Sequence, residues 1–464
     1  MVCPFGSMPS IEYSSGVKLN SNFMEIIHKN AAGIDIGSRK VFVGLEGGDV
    51  VSFETFTSDF IRLSEHLKLN KVLTVAMEAT GVYWIVLFDI LVKDGFDVWL
   101  VDGRQTKQVP GRKTDVRDCQ WIQQLHSYGL LNRCYVAEGY LKELRSYNRL
   151  REDHLRSCAM HINQMQKVLI EMNIRLPEVL SQTHGASGLS IIRAILSGER
   201  DKHTLLSLCH KSIIKNKSEQ VLKALEGFYT PSGLFMLKQA YDAFVFYQDQ
   251  IVACDKEISI MLVKINNEEP TGMPLKRKAI RHNSPEVKNL GSHMLKVFEG
   301  RDATVLSGFT DYSWLQLYSE TGSDLTRWPT EKHFTSWLGL SPGQNNSGKK
   351  KKNVRKGRPK AGQIFRKMAQ SLLNSKKIAF GAYGRRLRSR KGPGIAIKAI
   401  ARKLAVQYWR LMVKGNDFVE KGIAKYEEIL ILQKEKFLRK LANELNAELV
   451  FPSIDIIKPE NVTC

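Results

Sequence analysis

The chain has 464 residues, of which 69 are Lys or Arg and 47 are Asp or Glu, for a formal net charge of +22. That excess favours a polyanionic partner, and 43% hydrophobic content over this length is enough for two or three globular domains. No apolar run approaches the roughly 18 residues that cross a bilayer. The first sixteen residues lack the pattern of an export signal, so a cytoplasmic protein with no membrane partner is expected. Seven cysteines without C-x-x-C spacing argue against a disulfide framework or zinc knuckle. Eleven histidines without paired spacing leave any metal to oxygen ligands.

Residues 1–30 carry no pattern and are expected to be irregular or disordered. From residue 31 to about 140 the chain alternates. Short Val-, Ile- and Phe-rich runs at 32–36, 40–45 and 50–56 are broken by Gly-Ser and Gly-Gly-Asp, the turn chemistry of antiparallel neighbours. A helix over 58–69, a buried strand over 71–77, a helix over 82–93 and a strand over 97–101 follow, with a further helix from Asp115. The order βββαβαβ is that of a ribonuclease-H-like (RuvC-like) α/β domain with a mixed sheet.

Acids fall at telling places in that pattern. Asp35 interrupts the first strand, with Ile34 and Ile36 on the opposite face, and Glu78 ends the fourth. An isolated charge in such a run is costly to bury unless something cationic sits beside it. Asp115 and Asp118 are three apart on a helix and share a face. Acids so arranged can hold two Mg²⁺ ions about 3.5–4 Å apart. Asp102 at the next strand end is a rival ligand, but Asp102-Gly103 also reads as an ordinary turn. Arg104, Lys107, Arg112, Lys113 and Arg117 flank the acids and could grip nucleic-acid phosphates. Tyr83 and Trp84 fit core packing better than base stacking.

Beyond residue 141 the pattern is helical. Long segments over 141–172 and 202–266, the latter interrupted near Tyr229-Thr230-Pro231, carry apolar positions at heptad-like spacing and predict a coiled coil. Residues 267–294 are basic and Pro-containing, and read as a linker. A helical domain over 295–450 is expected, with helices at 306–321, 331–340, 361–375, 394–414 and 419–449, then a tail over 451–464. Within it, Asn345-Asn346-Ser347-Gly348 precedes Lys349, Lys350, Lys351, Lys352, Arg355, Lys356, Arg358 and Lys360. That run is the strongest polyanion signal in the chain, and its phosphate contacts should be salt-sensitive.

Four stretches resemble the bridge-RNA-guided insertion-sequence transposases: Gly33-Ile34-Asp35-Ile36-Gly37, Glu78-Ala79-Thr80-Gly81-Val82-Tyr83-Trp84, Val109 to Asp118, and Trp337 to Pro342 preceding Ser347-Gly348. The resemblance implies a RuvC-like domain whose metal-binding acids match Asp35, Glu78, Asp115 and Asp118, and a C-terminal transposase domain whose nucleophile matches Ser347. It further implies Mg²⁺ or Mn²⁺, donor and target DNA, a structured non-coding guide RNA, and a homo-oligomer, dimer or tetramer, in a prokaryotic cytoplasm. Cys119 stands where a small residue is usual, and Asp302 in Phe298-Glu299-Gly300-Arg301-Asp302 where a second glycine is expected.

Three other functions compete. A metal-dependent junction nuclease would need the acids but no Ser347. An actin-like sugar kinase could use Gly33-Ile34-Asp35-Ile36-Gly37 as a phosphate loop, but the second Asp-x-Gly loop is missing. A non-catalytic RNA-binding scaffold would leave the acid quartet unexplained.

Overall fold

The computed structural model describes residues 25–106, 115–270, 283–342, 359–375 and 378–448. The chain divides into two compact units, one ending at Val136 and the other starting at Ala137.

The first unit is a mixed sheet covered by helices. Strands β1 (Ala31–Ile36), β2 (Lys40–Gly44) and β3 (Val50–Glu54) are followed by α1 (Thr57–Leu69), β4 (Thr74–Glu78), α2 (Trp84–Lys93), β5 (Asp97–Val101), α3 (Gly103–Thr106) and α4 (Asp115–Ser127). Among the described residues the strand order is β3-β2-β1-β4-β5. β1, β2 and β3 pair antiparallel, while β1–β4 and β4–β5 are parallel, β4 being reached from β3 through α1 and β5 from β4 through α2. Gly47 and Gly48, with φ of 103° and 96°, supply the positive backbone angles that return β2 into β3. The element order is the one expected from the sequence except for the short α3, which begins where Asp102-Gly103 was read as an ordinary turn, and the mixed sheet is compatible with a ribonuclease-H-like domain.

Alternation along the strands gives the sheet two different faces. Ile34, Ile36, Val41, Val43, Val75, Met77, Val98 and Leu100 point to one side and pack under Leu63 and Leu67 of α1 and Leu87 and Leu91 of α2. Ala76 and Val101 point to the other and meet Ile122 and Leu125 of α4. Of the two aromatics expected in the core, Trp84 packs against the first face, whereas Tyr83 is 48% exposed. The correction has a local cause: the helix starts at Trp84, leaving Tyr83 on the turn before it.

Glycine sets how closely α4 lies on the sheet. A Cβ on Gly33 would stand 2.2 Å from the Gln123 nitrogen and 2.3 Å from the Cys119 oxygen, and one on Gly44 would meet the Gln120 nitrogen at 3.0 Å. These are backbone atoms of a helix, which cannot swing aside as a side chain can. Gly33→Ala is therefore expected to destabilise this unit by about 1–3 kcal/mol, read as a lower midpoint in urea, with Gly44→Ala costing less. Equal midpoints for Gly33→Ala and wild type would contradict this packing.

The second unit is helical throughout its described residues: α5 (Gly139–Glu171), α6 (Leu176–Val179), α7 (Ala186–Leu196), α8 (Lys202–Ser207), α9 (Lys211–Ala224), α10 (Pro231–Asn266), α11 (Leu290–Val297), α12 (Asp311–Thr321), α13 (Glu331–Trp337), α14 (Lys360–Asn374), α15 (Ala379–Lys391), α16 (Pro393–Lys414) and α17 (Asn416–Glu444). α5 and α10 lie antiparallel: Arg151 pairs with Asp255, Cys158 meets Phe244 and Gln248, and Met172 abuts Gly233. Buried Leu144, Arg151, Cys158, Met165 and Met172 recur every seventh residue along α5 and its C-terminal end, as Leu237, Phe244, Ile251 and Ile258 do along α10. At the far end of this pair α6 to α9 pack onto α5 and α10 in a core that joins Ile191, Ile192, Leu205 and Val221 to Met165, Leu169, Leu237 and Phe244.

The other core of this unit gathers α11 to α16 with the near ends of α5 and α10. Its centre is aromatic: Phe309 stacks on Tyr408 at 5.5 Å, and Phe334 and Phe365 meet edge-to-face at 6.3 Å. The helix expected over 306–321 begins only at Asp311. Thr310 and Ser313 form a reciprocal capping box there, and Gly308 upstream has φ of 82°, which a helix cannot contain. The segment expected to be helical over 202–266 is divided after Ser207 and Ala224, α7 and α15 were not anticipated, and the stretch read as a linker shares its last residues with α11.

Candidate functional site

Strand register brings two of the expected acids together. β1 and β4 run parallel with Gly33 opposite Ala76 and Ile34 opposite Met77, so the next rung sets Asp35 beside Glu78. Neighbouring strands lie about 4.8 Å apart and rung partners share a face. Asp35 shares its face with Gly33, and Glu78 shares its face with Ala76, which packs beneath α4.

Helix α4 then carries Asp118 to the same end of the sheet. Its last residue accepts hydrogen bonds through the Ser127 carbonyl from the Ile27 and His28 amides (2.8 and 3.0 Å), just ahead of β1. His126 Nε2 meets Thr74 Oγ1 at 2.9 Å, at the start of β4. The helix therefore runs antiparallel to both strands, with Gln123 level with Gly33. Five residues back along a helix at about 1.5 Å each is about 7.5 Å, and two residues along a strand is about 6.6 Å. Asp118 is thus level with Asp35 and Glu78. The charges of Asp35 and Asp118 both act on the Cys119 thiol, which burial pushes up to about 11. The cysteine at this position is accordingly a packed thiol rather than a nucleophile.

Around Glu78 the chain is fitted closely. Thr106 Oγ1 donates to Glu78 Oε2 at 2.5 Å, and a Cβ on Gly103 would stand 2.3 Å from Glu78 Oε1. Neither residue was singled out from the sequence; a glycine and a threonine after a strand look like any turn. Asp102, the rival ligand, has other work. Its Oδ1 accepts the Arg104 amide at 3.0 Å, capping α3, and its carboxylate is gripped by the Arg104 guanidinium. That pairing holds Arg104 above its ordinary pKa and ties one of the expected phosphate-binding residues to an acid.

Other expected residues divide between placed and outside. Arg117 is exposed on α4, and Lys360 at the start of α14 stands 4.0 Å from Glu152. The side chain of Asp115, and all of Lys107, Arg112, Lys113, Ser347, Lys349, Lys350, Lys351, Lys352, Arg355, Lys356 and Arg358, lie outside the described residues. Among the described residues no group of three or more His, Cys, Asp or Glu side chains is gathered to hold a metal ion. The donor chemistry nevertheless fits a hard cation, since Asp35, Glu78 and Asp118 offer carboxylate oxygens alone at one end of the sheet. Among the described residues no helix is long and apolar enough to cross a membrane.

No curated protein matches the chain. Two family models match it, in the order in which their domains follow one another. A DEDD-type transposase model covers residues 32–174, the sheet, α4 and α5, and a model described as transposase IS116/IS110/IS902 family covers residues 304–384, from the turn before α12 into α15. The first spans Asp35, Glu78, Asp115 and Asp118; the second spans Ser347 and the basic run after it. The chain belongs to the IS110/IS116 family of insertion-sequence transposases.

Proposed function

We propose that the chain is a DNA recombinase that cuts and rejoins strands through a Ser347–phosphate ester, with Asp35, Glu78, Asp115 and Asp118 as metal ligands and a structured non-coding RNA as guide. The observation that carries this reading is the shared rung of Asp35 and Glu78 on the face that α4 covers, with Asp118 level beside them. Two like charges opposite each other on neighbouring strands are mutually unfavourable. A fold that keeps them, and adds a third acid beside them, has a use for concentrated negative charge. Family membership and the net charge of +22 support DNA as the partner.

In the proposed reaction Ser347 Oγ attacks a DNA phosphorus, a P–O bond to the adjoining nucleoside breaks, and the departing oxygen takes up a proton as the serine gives one up. A phosphoserine ester conserves the energy of the broken bond, so a hydroxyl of another strand can reverse the step without ATP. Mg²⁺ or Mn²⁺, when bound, supplies charge neutralisation at the phosphate oxygens. Lys349 to Lys352 follow the serine directly and neutralise charge on the same phosphate. Glu78 is kept in one orientation by Thr106 and by the absence of a side chain on Gly103. The α5–α10 pair, proposed as an antiparallel coiled coil, supplies a surface for the homo-oligomer.

Trapping on a denaturing gel tests the reading. Wild type incubated with element-end DNA and guide RNA is expected to leave a protein–DNA adduct, lost on Ser347→Ala while RNA binding persists. Cleavage by Ser347→Ala without any adduct would transfer the assignment to a junction nuclease that uses the acids alone.

A further inference from the structure

Both family matches stop before α17 begins, the second of them at residue 384. This helix carries large apolar side chains that the described residues leave open: Ile431 is 64% exposed, Phe437 64%, Leu438 43%, Leu441 40% and Leu445, just past its end, 69%. Apolar residues that recur along one face of a long helix mark a surface that meets a partner. The tie from α17 to α15 lies off that face, where Gln433 accepts from Arg386 at 3.4 Å.

The spacing points to the partner. From Ile423, alternating steps of four and three residues lead to Glu427, Leu430, Lys434, Phe437 and Leu441, which is the seam of a coiled coil. The first three are placed by the helix and the sequence alone. Glu427 and Lys434 are the two charges in this row, opposite in sign and about two turns apart. Neither has an opposite charge at three or four residues on its own helix, where every residue is Ile, Ala, Leu or Phe. Charges outside the row do pair along α17, Arg439 with Glu435 at 2.7 Å and Lys440 with Glu444 at 3.7 Å.

A charge enclosed in an apolar seam is costly unless it is matched. A second copy of the same helix supplies the match in one direction only. In a parallel pair identical positions face each other, so Glu427 would meet Glu427 and Lys434 would meet Lys434. In an antiparallel pair Glu427 of each copy comes within one layer of Lys434 of the other, and two-fold symmetry makes the match twice. We propose that α17 joins two copies of this chain as an antiparallel coiled coil, with Ile423, Leu430, Phe437 and Leu441 closing the seam and two Glu427–Lys434 pairs setting its direction and register. The contact is separate from the surface assigned to α5 and α10, and it depends on neither Ser347 nor the acid ligands.

The experiment is sedimentation equilibrium of the full chain, freed of nucleic acid and kept in chelator, so that neither DNA nor RNA bridges two copies. Glu427→Lys and Lys434→Glu are each expected to weaken self-association at least about tenfold, because either sets like charges together at both matches. The variant carrying both changes, and an equimolar mixture of the two single variants, are expected to recover the wild-type association. Phe437→Glu, which leaves the two charges in place, should weaken association as well. A parallel pair would leave both single variants associating as the wild type does, and that result would overturn the proposal. A monomeric wild type, or a mixture no tighter than its two components, would overturn it too.

Discussion

Asp35→Asn is expected to reduce strand exchange by at least about 10³-fold, while the protein still folds and binds guide RNA. The substitution is nearly isosteric, so β1 keeps its pairing with β2 and β4 and the close contact at Gly33 is untouched. What is lost is one negative charge from the face shared with Glu78 and Asp118. The metal-free variant should melt within a few degrees of wild type, since relieving repulsion between like charges opposite each other on neighbouring strands is worth only about 0.2–1 kcal/mol. Exchange assayed on a supercoiled donor–target pair, alongside thermal melting, separates the two effects. Normal exchange by Asp35→Asn would remove the acids from the chemistry.

Asp255→Ala is expected to cost about 3–5 kcal/mol of stability, the largest such effect predicted for any single side chain in the second unit. Arg151 is only 2% exposed, and its guanidinium is satisfied on every side: by Asp255, by the Asn283 carbonyl at 3.0 Å and by Tyr312 Oη at 3.0 Å. Asp255 Oδ2 also accepts the Glu286 amide at 3.0 Å. This pair thus ties α5 to α10, to the strand of chain ahead of α11, and to α12. Removing the carboxylate strands a buried cation, whereas Arg151→Met with Asp255→Leu replaces both charges with apolar groups and should recover most of the loss. Equal stabilities for the single and the double variant, by urea denaturation, would contradict this account. The pair sits at one of the seventh-residue positions of α5, where a polar contact fixes which residues of the two helices face each other.

Much of this was legible in the residues. The strands of the first unit announced themselves because apolar alternation and Gly turns are local signals, and the acids stood out because charge inside such runs has a cost. Their placement at one end of the sheet was not a local signal. It depends on a parallel crossover that sets Asp35 and Glu78 on one rung, and on two glycines, Gly33 and Gly44, whose meaning appears only once a helix backbone is seen against them. Thr106 and Gly103 were missed for the same reason, their role being defined by Glu78, far away in sequence. In the helical unit periodicity found α5 and α10 but overran real boundaries. A capping box at Thr310 and a break after Ala224 outrank the apolar pattern that continues through them. α15 escaped because Gly381, Gly384 and its basic residues weaken any helical signal; Gly384 is where the side chains of Ile400 and Leu373 press against the helix.

The central claim is that Asp35, Glu78 and Asp118 face a common point at the end of the sheet and there hold a divalent cation. Melting of the full chain with and without Mn²⁺ tests it without any DNA chemistry. A ligand at one hundred times its dissociation constant contributes about 2.7 kcal/mol, a rise of several degrees for this unit. The account predicts that rise for wild type and its loss in Asp35→Asn and in Asp118→Asn. The same rise in all three proteins would contradict it.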